Sequence, residues 1–183
     1  MNYYGAKELA ASFRTVRKNT IIIAEEIGEE HYTFRPVPEM RSVAETLIHI
    51  AVTPRAAHQI HAVEHLSDMS QFDFMNFFGT LMVLEKKPHT KAHILSLLHE
   101  EGERFAGWVE TLNDEFLGEI VTMAPGMGGT HKARFEMLLS PKEHEMHHRA
   151  QLMVAERLLG ITPHTTRQFA ERLAAMQSAK AGG

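Results

Sequence analysis

The chain contains no cysteine, which removes disulfides, iron–sulfur clusters, thiolate zinc sites and a cysteine nucleophile together. It has no apolar run near the roughly 20 residues that a membrane-spanning helix needs. It also has no surplus of positive charge: 19 Lys and Arg stand against 23 Asp and Glu, for a net charge of -4. No basic stripe follows one helical face, so nucleic acid is not an expected partner. The N-terminus, Met1-Asn2-Tyr3-Tyr4, lacks the basic and apolar regions of a signal peptide. A cytoplasmic location with no membrane partner is therefore expected. No internal repeat is visible, and no convincing strand beyond fragments such as Glu119 to Met123.

The 183 residues suffice for one domain with a real core but not for two comfortable ones. Hydrophobic residues at 44% and charged residues at 23% are ordinary for a globular protein. The unusual stock is histidine, with 13 residues. Without cysteine, any transition-metal site must draw on His, Asp or Glu.

Apolar residues recur at helical spacing over four long stretches. The first runs from about Ala6 to Ile27, with Leu9, Phe13, Val16, Thr20, Ile23 and Ile27 on one face, and Gly28 ending it. Tyr32 to Pro38 reads as an extended connector, because each proline biases its predecessor away from helix. Ser42 with Glu45 three residues on is a capping-box signature. The second helix then carries Val43, Leu47, Ile50 and Ala51 inward. Pro54 should bend it by leaving the Ile50 carbonyl without its usual donor. The segment from Ser67 to Pro88 is too apolar for an exposed loop and reads as a short covering helix or a subunit contact.

A third long helix spans about Thr90 to Leu112. A connector follows through the turn Pro125-Gly126-Met127-Gly128-Gly129. Helix resumes near Lys132, and Ser140-Pro141 marks either a fresh start or a kink. The last long stripe runs His144, His148, Leu152, Ala155 and Leu159, stopped by Gly160. Thr165 to Ala179 reads as a shorter terminal helix with a small-residue tail. The expected architecture is an all-α four-helix bundle with additional short helices. Residues 1–165 would form the single domain, and 166–183 the C-terminal helix and flexible tail.

Three histidine pairs have the four-residue spacing that places both rings on one helical face: His61/His65, His89/His93 and His144/His148. Roughly one such pair is expected by chance, so context must choose. His61/His65 and His89/His93 lie near helix ends among charged residues and read as surface. His144 and His148 continue a buried stripe. Two imidazoles one turn apart in a core each need a donor and an acceptor, which a shared metal, or carbonyl and carboxylate partners, can provide. His49, between Ile48 and Ile50, is the candidate third ligand. Glu45 could accept from its other ring nitrogen, as metal-bound His normally requires, although its capping bond competes. His147 points about 100° away from His148, which suits a supporting or surface role, and Gln151 could brace a histidine by hydrogen bond. Glu143 and Glu145 could relay protons or simply favour a helix N-terminus.

Two segments now carry a family resemblance. Phe34 to Ala51, with His49, and Lys142 to Met153, with His144-Glu145-Met146-His147-His148-Arg149-Ala150-Gln151, resemble the connector, second-helix histidine and H-x-x-x-H-R-G-Q pattern of the DinB-like family. Leu159-Gly160-Ile161-Thr162-Pro163-His164 is similar as well. Ala150 stands where that family commonly has Gly, a change of one methyl that spares the ligands. The resemblance implies a helical bundle with His49, His144 and His148 as metal ligands. It also implies a homodimer and, in some relatives, a low-molecular-weight thiol as cosubstrate.

Three imidazoles leave a coordination position open, as catalytic metal sites do. Zinc or nickel suits an all-imidazole set best. The expected function is then a metal-dependent hydrolase or a thiol-dependent transferase, with no catalytic side chain assigned beyond the ligands. The alternative is a non-catalytic metal-binding or stress-associated interaction protein.

Overall fold

Leu9, Phe13, Val16, Thr20 and Ile23 form the buried face of helix α1 (Ala6–Glu26) in the computed structural model, which describes residues 4–127 and 129–181. The helix stops at Glu26, one residue before the expected end, and Gly28 has an extended φ of -61° rather than a left-handed one. A cation stops it instead: Lys91 Nζ donates to the Glu25 and Ile27 carbonyls, each at 2.7 Å. Positive charge at a helix C-terminus satisfies carbonyls that have no intrahelical donor.

The Ser42–Glu45 capping box forms in both directions and opens α2 (Val43–Val52). Pro54 interrupts that helix, and a short helix α3 (Pro54–His58) continues the path. A π-turn follows at Gln59–Val63, where Glu64 N–H reaches the Gln59 carbonyl. The apolar segment after it contains α4 (Phe74–Glu85), which packs on α2. Helix α5 (Lys91–Glu110) lies along α1 and α2. A short α6 (Asp114–Gly118) leads into an antiparallel two-stranded ribbon, β1 (Ile120–Thr122) with β2 (His131–Ala133). The Pro125 to Gly129 turn joins the strands; Gly126 and Gly129 there have φ of 86° and 76°, a region that favours glycine. Gly128 lies outside the described residues.

Helix α7 (Arg134–Leu158) resolves the choice at Ser140-Pro141: it runs unbroken, with Pro141 inside it. Pro141 forfeits the usual bond to the Met137 carbonyl. Gly160, at a φ of 80°, follows the helix as a left-handed stop. Helix α8 (His164–Ala181) begins one residue before the expected Thr165 and is largely exposed. Residues 182 and 183, read from sequence as part of a tail, lie outside the described residues. The architecture is a four-helix bundle, α1, α2 with its α3 extension, α5 and α7, with additional short helices and one small ribbon. No helix among the described residues is long and apolar enough to cross a membrane.

One charged residue sits where the four long helices meet. Arg17 of α1 is only 4% exposed. Its Nε donates to both oxygens of Glu145 on α7 at 3.0 Å. Its Nη1 donates to the Leu98 carbonyl of α5 at 2.7 Å, and its Nη2 to the Ile50 carbonyl of α2 at 3.1 Å. Ile50 is the residue whose carbonyl Pro54 cannot serve, so the break in α2 creates the acceptor that Arg17 uses. Gly102 on α5 makes room: a Cβ there would fall 2.8 Å from Arg17 Cγ.

Removing one member of a buried ion pair leaves the other charged and unpaired, at a cost of about 3–5 kcal/mol. Glu145→Ala should therefore lower the unfolding free energy in urea by that order, about 3–5 kcal/mol. A loss below about 1 kcal/mol, the range of surface pairs, would show that Arg17 finds other compensation.

Candidate metal centre

His49 comes from the last turns of α2, and His144 and His148 from the middle of α7. The structure brings all three together. His49 Nε2 lies 3.0 Å from His144 Nε2, and His148 Nε2 lies 3.2 Å from the same atom. The ring centroids are 4.5 to 4.8 Å apart.

The far sides of two rings determine what their near sides offer. His49 Nδ1–H donates to Glu85 Oε1 at 2.6 Å. His148 Nδ1–H donates to Gln151 Oε1 at 2.8 Å, and Gln151 Nε2–H in turn faces His147 Nε2 at 3.3 Å. A carboxylate and an amide oxygen only accept, so both rings carry their proton on Nδ1. Both Nε2 lone pairs then point at His144 Nε2. Lone pairs crowded at this distance repel unless a proton or a cation lies among them. Two nitrogens at about 2.05 Å from a tetrahedral zinc would stand about 3.3 Å apart. The cluster could thus hold a divalent metal ion, and the residues present fit one.

Electrostatics point the same way. Burial, then the neighbouring His148 and His49, push the His144 pKa down to about 3 from 6.5. Burial likewise lowers that of His148, against a bond to Gln151 that raises it. Both shifts favour the neutral ring, the form that binds metal. Burial alone would raise the Glu85 carboxyl, but bonds from His49 and from Arg41 Nε, at 2.9 Å, outweigh it and keep it ionised.

Two cavities of about 590 Å³ each are lined in part by members of the cluster. One opens on His49 and His144 between α3, α4, α7 and the ribbon. The other opens on His148 and Gln151 and is walled by Arg35, Arg41, Lys86, Glu45 and Glu85. The triad is therefore reachable from two cavities, unlike a closed structural site.

Several readings from sequence change here. Glu45 was the candidate acceptor for His49, but its oxygens are taken by the Ser42 amide and by Arg35 at 2.7 Å. Glu85, from the end of α4, does that work. Its sequence gave no sign of this, because a lone Glu after an apolar run reads as a solvated helix end. Glu145 is not a proton relay, since both its oxygens face Arg17. Glu143 is exposed, and because α7 starts at Arg134 it is mid-helix and no helix N-terminus accounts for it. His65 is exposed as expected, but its partner His61 is 2% exposed. The π-turn supplies the reason: its extra residue rotates His61 inward, and His65 leaves the helix at a φ of 47°. His89 and His93 stack on each other at 4.9 Å near the surface.

An open three-histidine cluster between two helices of a four-helix bundle defines a class of helical metal-site proteins. The DinB superfamily model matches residues 12–152, and the chain belongs to that superfamily. It is 24% identical over 157 residues to the uncharacterised protein YjoA of Bacillus subtilis, covering 86% of this chain and 92% of that one. The crystal structure of YjoA, a DinB-like protein, aligns with a TM-score of 0.61 at 22% identity, over 85% of this chain and 94% of the other. YfiT of Bacillus subtilis, a probable metal-dependent hydrolase with an unusual four-helix-bundle topology, aligns with a TM-score of 0.68 at 14% identity, over 88% and 91%. An uncharacterised protein of Clostridium difficile 630 gives a TM-score of 0.64 at 14% identity, over 86% and 98%.

The buried rings set a pH dependence. In the unfolded chain His titrates near 6.5, whereas in the fold His61 is held near 4 and His144 near 3. Between those values the unfolded state binds more protons. The contribution of these rings to stability is thus constant above about pH 7 and is lost as pH falls through 6.5 toward 4. Thermal melts in chelator from about pH 7.5 to about pH 5 should show a falling Tm, with a shallower fall in His61→Asn. Parallel profiles for the two proteins would contradict the assignment of His61.

Proposed function

We propose that the protein is a metal-dependent hydrolase whose divalent metal, zinc or nickel, is held by His49, His144 and His148. The observation that carries this reading is the convergence of three Nε2 atoms, with two of the rings oriented from behind by Glu85 and Gln151. A metal held there would act as a Lewis acid and lower the pKa of water in its open position.

The chain's own residues have definable parts. Glu85 fixes the tautomer and angle of His49, and is itself fixed by Arg41. Gln151 does the same for His148 and joins it to His147. Glu143 lines the cavity beside His144 and is the available carboxylate for moving a proton at its mouth. The likeness of fold to YfiT supports the hydrolase reading. An apolar surface formed by the exposed Met75, Met82 and Val83 of α4 supports a homodimer as the assembly.

A second reading, transfer of a low-molecular-weight thiol, is favoured by the cavity on the His148 side. Arg35 and Arg41 there are paired with Glu45 and Glu85, so Lys86 is the group that suits a carboxylate of such a thiol, and a second substrate would approach by the other cavity. Assays of the metal-loaded protein on activated esters, with and without cysteine or glutathione, separate the two. Product formation without thiol supports hydrolysis; strict dependence on thiol supports transfer. Neither, with metal bound, favours a non-catalytic metal-binding protein.

Near-stoichiometric metal is expected in wild-type protein by mass spectrometry and should be absent from His148→Ala. Wild-type protein that takes up neither zinc nor nickel would exclude the reading. Glu85→Gln should keep the fold and weaken metal binding about 10–100-fold, as loss of an orienting partner does, measured by competition with a chelating dye. Unchanged affinity would mean that His49 needs no such support.

A further inference from the structure

The cavity that opens on His49 and His144 is lined differently from its polar counterpart. Ile60, Met69, Phe74, Phe78, Met123 and Met137 give its wall an apolar part that the other cavity lacks. Methionine thioethers are flexible and polarisable, and they mould to flat or irregular apolar surfaces. A volume of about 590 Å³ is that of a small-molecule site. The charged residues lie at the mouth: Lys132 pairs with Glu136 at 3.3 Å, and Glu143 is exposed. An ion entering the cavity would lose its water among thioethers and phenyl rings without a counter-ion. The lining selects an uncharged molecule.

Among the polar groups of that wall, which include Thr53 and Ser140, His61 is the one whose ring orientation is fixed by a buried charge. Arg134 Nη1 donates to its Nδ1 at 3.0 Å, and Arg134 is itself held by Glu119 at 2.7 Å. Arginine only donates, so Nδ1 is the acceptor and the ring proton sits on Nε2. Burial, then the charge of Arg134, push the His61 pKa down to about 4, so the ring is neutral at physiological pH. No described residue accepts from Nε2. His61 therefore stands in a largely apolar wall as a neutral donor of fixed orientation, without an acceptor among the described residues.

We propose that this cavity binds an uncharged, mainly apolar organic molecule that carries one hydrogen-bond acceptor. The apolar body packs on the methionine wall and the acceptor takes the His61 Nε2 proton. That the molecule is a substrate rests on the histidine cluster being a reaction centre. The binding itself does not, because no residue of this wall except His49 and His144 belongs to the metal set. In the reaction, His61 is a positioning residue for the substrate's organic part.

The test uses prodan, a neutral naphthalene with one ketone, whose emission shifts to the blue in apolar surroundings and back toward the red when its carbonyl is hydrogen-bonded. Titration into wild-type protein, metal-loaded and metal-stripped, should give saturable 1:1 binding with a blue shift in both forms. Met137→Glu, which introduces a carboxylate into the wall, should weaken binding by at least about tenfold. Met123→Glu does the same from a different element, so one poorly folding variant does not decide the matter. His61→Asn keeps an acceptor for Arg134 but removes the Nε2 donor. It should weaken prodan a few-fold and move bound emission further to the blue, with little effect on a naphthalene lacking the ketone. Val154→Glu, on the exposed face of α7, should bind as wild type.

Absence of saturable binding, or wild-type affinity in whichever of the two Glu variants folds, would overturn the proposal. Equal loss of both probes in His61→Asn would overturn the role of His61. Prodan binding by a protein that takes up no metal would sustain the cavity and reject the metal-dependent reading, so the two failures are separable.

Discussion

The guanidinium of Arg17 is enclosed by all four long helices, and the position of the histidine cluster follows from what it holds. On α7 it holds Glu145, the residue after His144. On α2 it holds the carbonyl of Ile50, the residue after His49. Fixing those neighbours fixes the rotation of both helices about their axes. With Glu145 turned to the bundle centre, His144 and His148 are turned about 60–100° away from it, toward α2. Burying such a pair gains little stability over an apolar replacement. Its value here is in register: two helices joined by a long stretch of chain present three ring nitrogens that all lie within 4.8 Å of one another.

Two prolines contribute to the same end. Pro54 frees the Ile50 carbonyl that Arg17 uses, so α2 breaks just past His49. Pro141 removes a bond three residues before His144, and with Met137 it faces the apolar cavity. Helix irregularity is thus concentrated beside the histidine cluster, where it opens wells in an otherwise packed bundle. The π-turn at Gln59–Val63 is a third case and turns His61 into the cavity wall.

The long helices were legible in sequence because their apolar period is strong and their caps are local; the Ser42–Glu45 box is a four-residue signal. The histidine triad was legible for a different reason. His144 and His148 share a buried stripe, and His49, mid-helix in the second apolar stretch, is the candidate third ligand that the resemblance also implies. The orienting groups were not legible. Glu85 is 36 residues from His49, and only the packing of α4 on α2 joins them. Arg17 lies in an amphipathic helix where an arginine reads as solvated, and nothing local distinguishes it from Arg14, which is at the surface with Glu103 and Glu110. His61 reads as surface in the sequence because a π-turn shifts the face of every residue after it, and helical periodicity cannot show one.

The central claim is that three imidazoles and one open position surround a single divalent metal. X-ray absorption at the metal edge of zinc-loaded protein tests it directly. The account predicts about three imidazole nitrogens at about 2.0–2.1 Å with one further light ligand. A fit that admits only one imidazole per metal, or a coordination shell unchanged by His49→Ala, would contradict it.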